Sequence, residues 1–191
     1  MRVGGPLGST PRDIEEAIND KTACIASGYH YNVVPRGWVP YETVAKIAKK
    51  HGLPSFCDCA GAFPPYANLH MMTDMGFDLT IFSGGKGIRG PQDAGLILGG
   101  GERGEKLIQV ISEHSAPNMG LGRAFKVSKE SIAGLVTALE LILSRDEQEE
   151  YKRQMAKAEY MAEQLEGIPG IYVSVVPNDG KSYEHPLMAR V

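Results

Sequence analysis

Apolar residues follow two rhythms along the chain, short continuous runs and longer stretches with a helical repeat, and their order predicts the fold class. Thr10, Pro11 and Asp13 precede Ile14, Ala17 and Ile18, the pattern of a capped helix start with proline in its first turn. Residues 22–27 form a compact apolar run of strand length, followed by a loop rich in Gly, Pro, Tyr and Trp that reaches Trp38. From Pro40 to His51 the side chains of Val44, Ile47 and Ala48 share one helical face, lysines take the other, and Gly52 is the stop. The same reasoning predicts a strand over 55–60, a brief helix over 69–75, and strands over 78–82 and 94–98.

Helices alternating with buried strands imply an α/β fold, a mostly parallel sheet with helices on both faces and ligand-binding loops at the strand carboxyl ends. Beyond Glu102 the pattern changes to long helices over 102–114 and 128–166, the second broken or bent near Ser144. Residues 171–176 then alternate like a strand opening a further unit. The chain divides accordingly into a sheet-bearing part, 1–125, and a second part, 126–191, made of a linking helix and the start of a small α/β domain.

Composition narrows the picture. Across 191 residues, 42% hydrophobic and 23% charged content describe a globular chain, and a net charge of -3 gives no footprint for a polyanion, so nucleic acid is not an expected partner. Cys24, Cys57 and Cys59 are an odd set, and the spacing of the last two suits neither a disulfide framework nor a zinc knuckle. With no apolar run long enough for a bilayer span, the expectation is a reduced, soluble, cytoplasmic protein. The histidines show no ligand spacing, so no metal site is expected. Tyr29, Tyr31 and Trp38 interleave with His30 and Arg36, which suits packing or an active-site loop better than base stacking.

The 23 glycines matter more, because many gather where the backbone must turn tightly. In the segment from Asp78 to Gln92, DLTIFSGGKGIRGPQ, a strand delivers Ser83 and Lys86 into a turn of glycines. A lysine buried in a ligand pocket shifts its pKa readily and then condenses with an aldehyde, whereas the same residues also make an ordinary surface turn. Asp58 stands in the strand FCDCA, where a carboxylate ending an apolar run wants a cation such as a pyridinium nitrogen, or else caps the next turn.

Together, Asp58-x-Ala60 and the later SGGK motif resemble fold-type-I pyridoxal-phosphate enzymes. The stretch SGGKGIRGPQDAGLILG is similar to the selenocysteine-synthase-like group, which includes seryl-tRNA selenium transferase and ammonia lyases of sugar-acid phosphates, and RAFKVSK at 123–129 resembles another segment of that group. The resemblance implies that residues 1–125 are the carboxyl-terminal part of a large cofactor-binding domain. It implies Lys86 as the residue that forms the Schiff base and later takes the substrate's α-proton, Asp58 at the pyridine nitrogen, Ala60 against the ring and Ser83 at the phosphate. Arg89 and Arg123, with Lys126 and Lys129, are candidates for an anionic substrate group. By the same resemblance the family begins before the point matched by Met1, in a stretch that carries the loop holding the cofactor phosphate. GGPLG at 4–8 is a poor substitute for that loop, so a fragment or one half of a split gene is expected.

Three functions follow as expectations. The first is a lyase eliminating ammonia or water from a small amino acid or amino-sugar acid, acting as a homo-oligomer or with a complementing chain. The second is a tRNA-dependent selenium transferase, and the third a non-catalytic remnant or interaction subunit.

Overall fold

The computed structural model describes residues 1–5, 8–29 and 38–175. In chain order the elements are α1 (Pro11–Ala17), β1 (Ile25–Gly28), α2 (Tyr41–Lys50), β2 (Ser55–Asp58), α3 (Asn68–Asp74), β3 (Leu79–Ser83), β4 (Gly95–Gly99), α4 (Gly101–His114), a 3-10 turn (Arg123–Phe125), α5 (Lys129–Leu143) and α6 (Glu147–Leu165). The predicted start of α1 forms a capping box, in which the Thr10 hydroxyl accepts from Asp13 N and the Asp13 carboxylate accepts from Thr10 N. The long carboxyl-terminal helix breaks where the sequence suggested, with Ser144 ending α5 and Asp146 capping α6.

The four strands lie in the order β1-β2-β3-β4. β1 pairs with β2 and β2 with β3 in parallel, the crossovers supplied by α2 and α3, whereas β3 and β4 are antiparallel. The sheet is therefore mostly parallel, as the alternation implied, and the last pairing is a hairpin whose loop, residues 84–94, contains Lys86. The strand expected over 171–176 does not form: residues 171–175 are irregular, Tyr172 is fully exposed, and Val176 lies outside the described residues.

Register and pleat decide which side chains are buried. Partners Cys57 and Thr80 share one face with Phe82, and all three are essentially inaccessible, while Asp58, its partner Ile81 and Ser83 take the opposite, partly open face. The buried face packs against Val44, Ala45, Met72 and Phe77, and the same core takes in Phe63 and Ile88 from the loops and Leu135 and Ile142 from α5. At the amino ends of β2 and β3, the Asp78 carboxylate accepts from Ser55 N and Ser55 Oγ.

One polar atom in this core is unmatched, for the Thr80 hydroxyl has no hydrogen-bond partner among the described residues. A buried hydroxyl without a partner costs more than the methyl group that would replace it. Thr80→Val is therefore expected to raise the unfolding free energy by about 1 kcal/mol, read as a higher urea midpoint at unchanged slope.

Candidate active site

The carboxyl ends of β1, β2 and β3 finish side by side. Gly28 stands opposite Asp58, Asp58 opposite Ile81, and Tyr29 N and Cys59 N carry the ladder one step further by donating to Asp58 O (2.8 Å) and Ile81 O (2.7 Å). Asp58, Ala60 and Ser83 thus collect at one end of the sheet, and Lys86 enters from the hairpin loop that leaves β3 at that end.

Asp58 is exposed, and its Oδ1 accepts from Ala60 N at 3.0 Å, which turns the chain out of β2. Oδ2 has no partner among the described residues, so the carboxylate retains capacity for a cation. Beneath it, Cys57 and Cys59 are fully buried. The hydrogen bond to Cys57 and burial push the Cys59 thiol far above its usual range, so Cys59 is a packing group rather than a nucleophile.

The lysine turn is held by its backbone. Gly84 N donates to Ala94 O (2.9 Å), Gly90 N to Gly84 O (2.8 Å) and Arg89 N to Lys86 O (2.9 Å), and the Gln92 amide closes on Gly85 O. Two glycines are required by close approach: a Cβ on Gly84 would lie 2.6 Å from Ala94 O, and one on Gly87 1.8 Å from Phe63 O. Ile88 anchors the turn in the core while Lys86 projects outward. The sequence left open a pocket lysine or a surface turn; in this chain Lys86 is exposed, its amine without a partner among the described residues, because the loop buries Ile88 and turns its neighbours to solvent.

The anion candidates separate. Arg89 has φ 61, in the left-handed region, and its Nη2 donates to Glu150 Oε1 at 2.8 Å, so its guanidinium is already engaged by α6. Arg123 is half-buried in the 3-10 turn between α4 and α5, with no ion pair among the described residues. Lys126 is exposed, and Lys129 is exposed and 3.9 Å from Glu130. Of the aromatic loop, Tyr29 lies against Tyr41 with ring centroids 5.8 Å apart and Trp38 is half-exposed, whereas His30, Tyr31 and Arg36 lie outside the described residues, as does His185.

Sequence reasoning missed Glu150, which accepts from Arg89, Arg153 and Gln154 with its side chain 13% exposed. The hydrogen bond from Arg89 is the main cause that holds its pKa below the ordinary glutamate range. Its contribution is therefore present above the ordinary range and is lost as pH falls through the depressed value. Also missed were Tyr66, whose hydroxyl donates to Ile142 O at 2.5 Å, and Asp93, which accepts from Ser131 Oγ at the start of α5. No short-range pattern signals such partners.

An amine able to bond an aldehyde, and a carboxylate with a free oxygen for a ring nitrogen, are the donor set that pyridoxal phosphate requires, and both stand at the carboxyl end of adjacent parallel strands. The family model described as aminotransferase class-V matches residues 7–185. The chain is 28% identical to D-glucosaminate-6-phosphate ammonia lyase of Salmonella typhimurium, covering 92% of this chain and 43% of that protein. It is also 28% identical to L-seryl-tRNA(Sec) selenium transferase of Aquifex aeolicus (88% and 40%) and to 5'-C-glycyluridine monooxygenase-decarboxylase of a Streptomyces species (92% and 41%). The solved structure of D-glucosaminate-6-phosphate ammonia-lyase superimposes with a TM-score of 0.69 at 26% identity, covering 95% of this chain and 45% of that one. The chain thus spans less than half the length of these relatives. No helix among the described residues is long and apolar enough to cross a membrane. The chain belongs to the aminotransferase class-V family, whose members use pyridoxal phosphate.

Proposed function

We propose that this chain is the lysine-bearing part of a pyridoxal-phosphate-dependent lyase that eliminates ammonia or water from a small anionic amino acid or amino-sugar acid. The observation that carries the proposal is the convergence of Asp58, Ser83 and the Lys86 turn at the carboxyl ends of β2 and β3, with open functional groups on Asp58 and Lys86. When bound, the cofactor supplies an aldehyde for an amine and a ring that accommodates negative charge at the substrate's α-carbon.

The residues of this chain would divide the remaining work. Lys86 Nζ would hold the cofactor and would also be the base that moves the substrate's α-proton; its exposed position leaves the side chain free for both tasks. Asp58 would keep a proton on the ring nitrogen, Ala60 would offer a small side chain to the ring, and Ser83 would donate its hydroxyl to the phosphate. With Arg89 engaged by Glu150, Arg123 is the guanidinium left among the candidates, beside the exposed Lys126, to receive a substrate carboxylate or phosphate. The name of the ammonia-lyase relative makes sugar-acid phosphates the first substrates to try. A cytoplasmic enzyme working as a homo-oligomer or with a complementing chain belongs to the same proposal.

Selenium transfer is a second reading because L-seryl-tRNA(Sec) selenium transferases are among the relatives, but a net charge of -3 offers little to a tRNA backbone. The chain incubated with pyridoxal phosphate and reduced with borohydride is expected to carry phosphopyridoxyl on the peptide containing Lys86. Labelling scattered over surface lysines would sink the proposal.

A further inference from the structure

We infer that the Arg89–Glu150 ion pair is a positioning clamp that makes the presentation of Lys86 depend on the docking of α6; the inference rests on the proposed role of Lys86. Four observations meet at one junction. Arg89 stands three residues beyond Lys86 and its N–H donates to Lys86 O, so the conformation of Arg89 sets the last bond of the lysine turn. That conformation is left-handed, with φ 61, a region a non-glycine residue keeps only when its surroundings hold it there. Besides the backbone bonds of the turn, the tie on this residue is its side chain, which reaches Glu150 across the fold at 2.8 Å, and Glu150 also accepts from Arg153 at 2.7 Å and Gln154 at 3.1 Å.

The fourth observation is a second tie of the same kind. Gly87, between Lys86 and Arg89, lies so close to Phe63 O that it admits no side chain, and the Phe63–Tyr66 segment is itself bound to the α5–α6 junction. Tyr66 N donates to Glu147 Oε1 at 2.7 Å and Tyr66 Oη to Ile142 O at 2.5 Å. Lysine turn, Phe63–Tyr66 segment and helix junction enclose a small cavity lined by Pro64, Gly87, Arg89, Arg145 and Tyr151. The turn is therefore gripped from α6 on one side by charge and from the α5–α6 junction on the other by packing. A surface ion pair between two flexible side chains contributes little. This one differs because the Glu150 side chain is 13% exposed and, apart from Arg89, accepts from two donors on its own helix, Arg153 and Gln154, which hold the carboxylate toward the lysine turn.

The test measures amide exchange and cofactor capture on the same proteins: the parent chain, Glu150→Gln, Arg89→Gly, the double variant, and Lys152→Ala as a control on the exposed Lys152–Glu149 pair of α6. Arg89→Gly suits the left-handed backbone, so it removes the clamp without adding strain. The expected result is exchange at least tenfold faster at the Arg89 and Gly90 amides in both single variants, no further change in the double variant, and none in the control. Borohydride-trapped label on Lys86 is expected to accumulate several-fold more slowly in the same three variants. Unchanged exchange at those amides in Glu150→Gln, or single effects that simply add in the double variant, overturns the clamp. Faster exchange with capture at the parent rate also overturns it, since the turn would then be held for stability alone. Absence of Lys86 labelling in the parent chain overturns the cofactor reading and, with it, the clamp's purpose, and the exchange data separate that outcome from a clamp that does not exist.

Discussion

Lys86→Ala is expected to fold as well as the parent chain and to take up no pyridoxal phosphate at this position. The side chain is exposed and has no partner among the described residues, so its removal leaves no cavity, breaks no ion pair and alters none of the backbone hydrogen bonds that hold the turn. Stability should stay within about 0.5 kcal/mol of the parent, checked by urea unfolding. Function should respond in the opposite way, because one amine is assigned both to hold the cofactor and to move the α-proton. Loss of the base alone costs on the order of 10²–10⁴ in rate, and loss of the attachment point adds to that. Borohydride trapping should therefore yield no label on the peptide spanning the hairpin loop. Lys106→Ala, on the exposed face of α4 and paired with Glu102, should label Lys86 like the parent. A destabilised Lys86→Ala protein would show that the lysine is a structural residue whose loss of labelling carries no functional meaning.

The elements most visible in the sequence were those whose local signals agree with their packing. The amphipathic face of α2 with Gly52 as its stop, the capped start of α1 and the break at Ser144 each combine a periodic pattern with a terminal residue of the right chemistry. Strand ends were less visible. β2 ends at Asp58 rather than Ala60 because the Asp58 carboxylate captures Ala60 N and turns the chain, an alternative that the residue types permit but do not dictate. Strand direction is not written in an apolar run. The loop over 84–94 did carry a clue to the antiparallel β4, since a parallel crossover needs about a dozen residues or more, usually with a helix. The alternation of 171–175 forms no strand, as a strand exists only against a neighbour and none pairs there among the described residues.

The site divides along the same line. Asp58 and Lys86 stood out because each lies in or just after an apolar run, where a charged residue is conspicuous, whereas the roles of Ala60 and Ser83 came from the family resemblance alone. The partners that decide their geometry were invisible, because Arg89 and Glu150, Gly87 and Phe63, and Tyr66 and Ile142 are brought together by tertiary structure alone. For Arg89 this changes the chemistry. A free guanidinium in a glycine loop suits an anionic substrate, whereas one held by a glutamate fixes backbone, and the residue type alone does not distinguish the two.

Gly87→Ala separates the geometry of the turn from the chemistry of its lysine. An alanine Cβ would lie 1.8 Å from Phe63 O and 2.6 Å from the carbonyl carbon, well inside any tolerable contact, and 3.2 Å from Pro64 Cδ. The obstacle is backbone on both sides, so no side chain can rotate away; either the lysine turn or the Phe63–Pro64 segment has to move. Moving the turn strains the bonds from Arg89 N to Lys86 O and Gly90 N to Gly84 O and shifts Ile88 out of its core site, while moving the other segment disturbs Phe63, only 2% exposed. Overpacking of this severity costs about 3 kcal/mol, the upper end of the usual range. The expected result is an unfolding free energy lowered by that amount, read as a lower urea midpoint, together with much slower capture of pyridoxal phosphate, although Lys86 itself is untouched. Gly52→Ala provides the contrast: it too replaces a glycine, at φ +67, but nothing lies within 4 Å of the added carbon, so its cost is confined to backbone strain at the end of α2. Capture at Lys86 should then be normal in Gly52→Ala and impaired in Gly87→Ala even where both proteins are fully folded. Equal capture by the two variants would mean that the contact with Phe63 supports the fold and has no part in presenting the lysine.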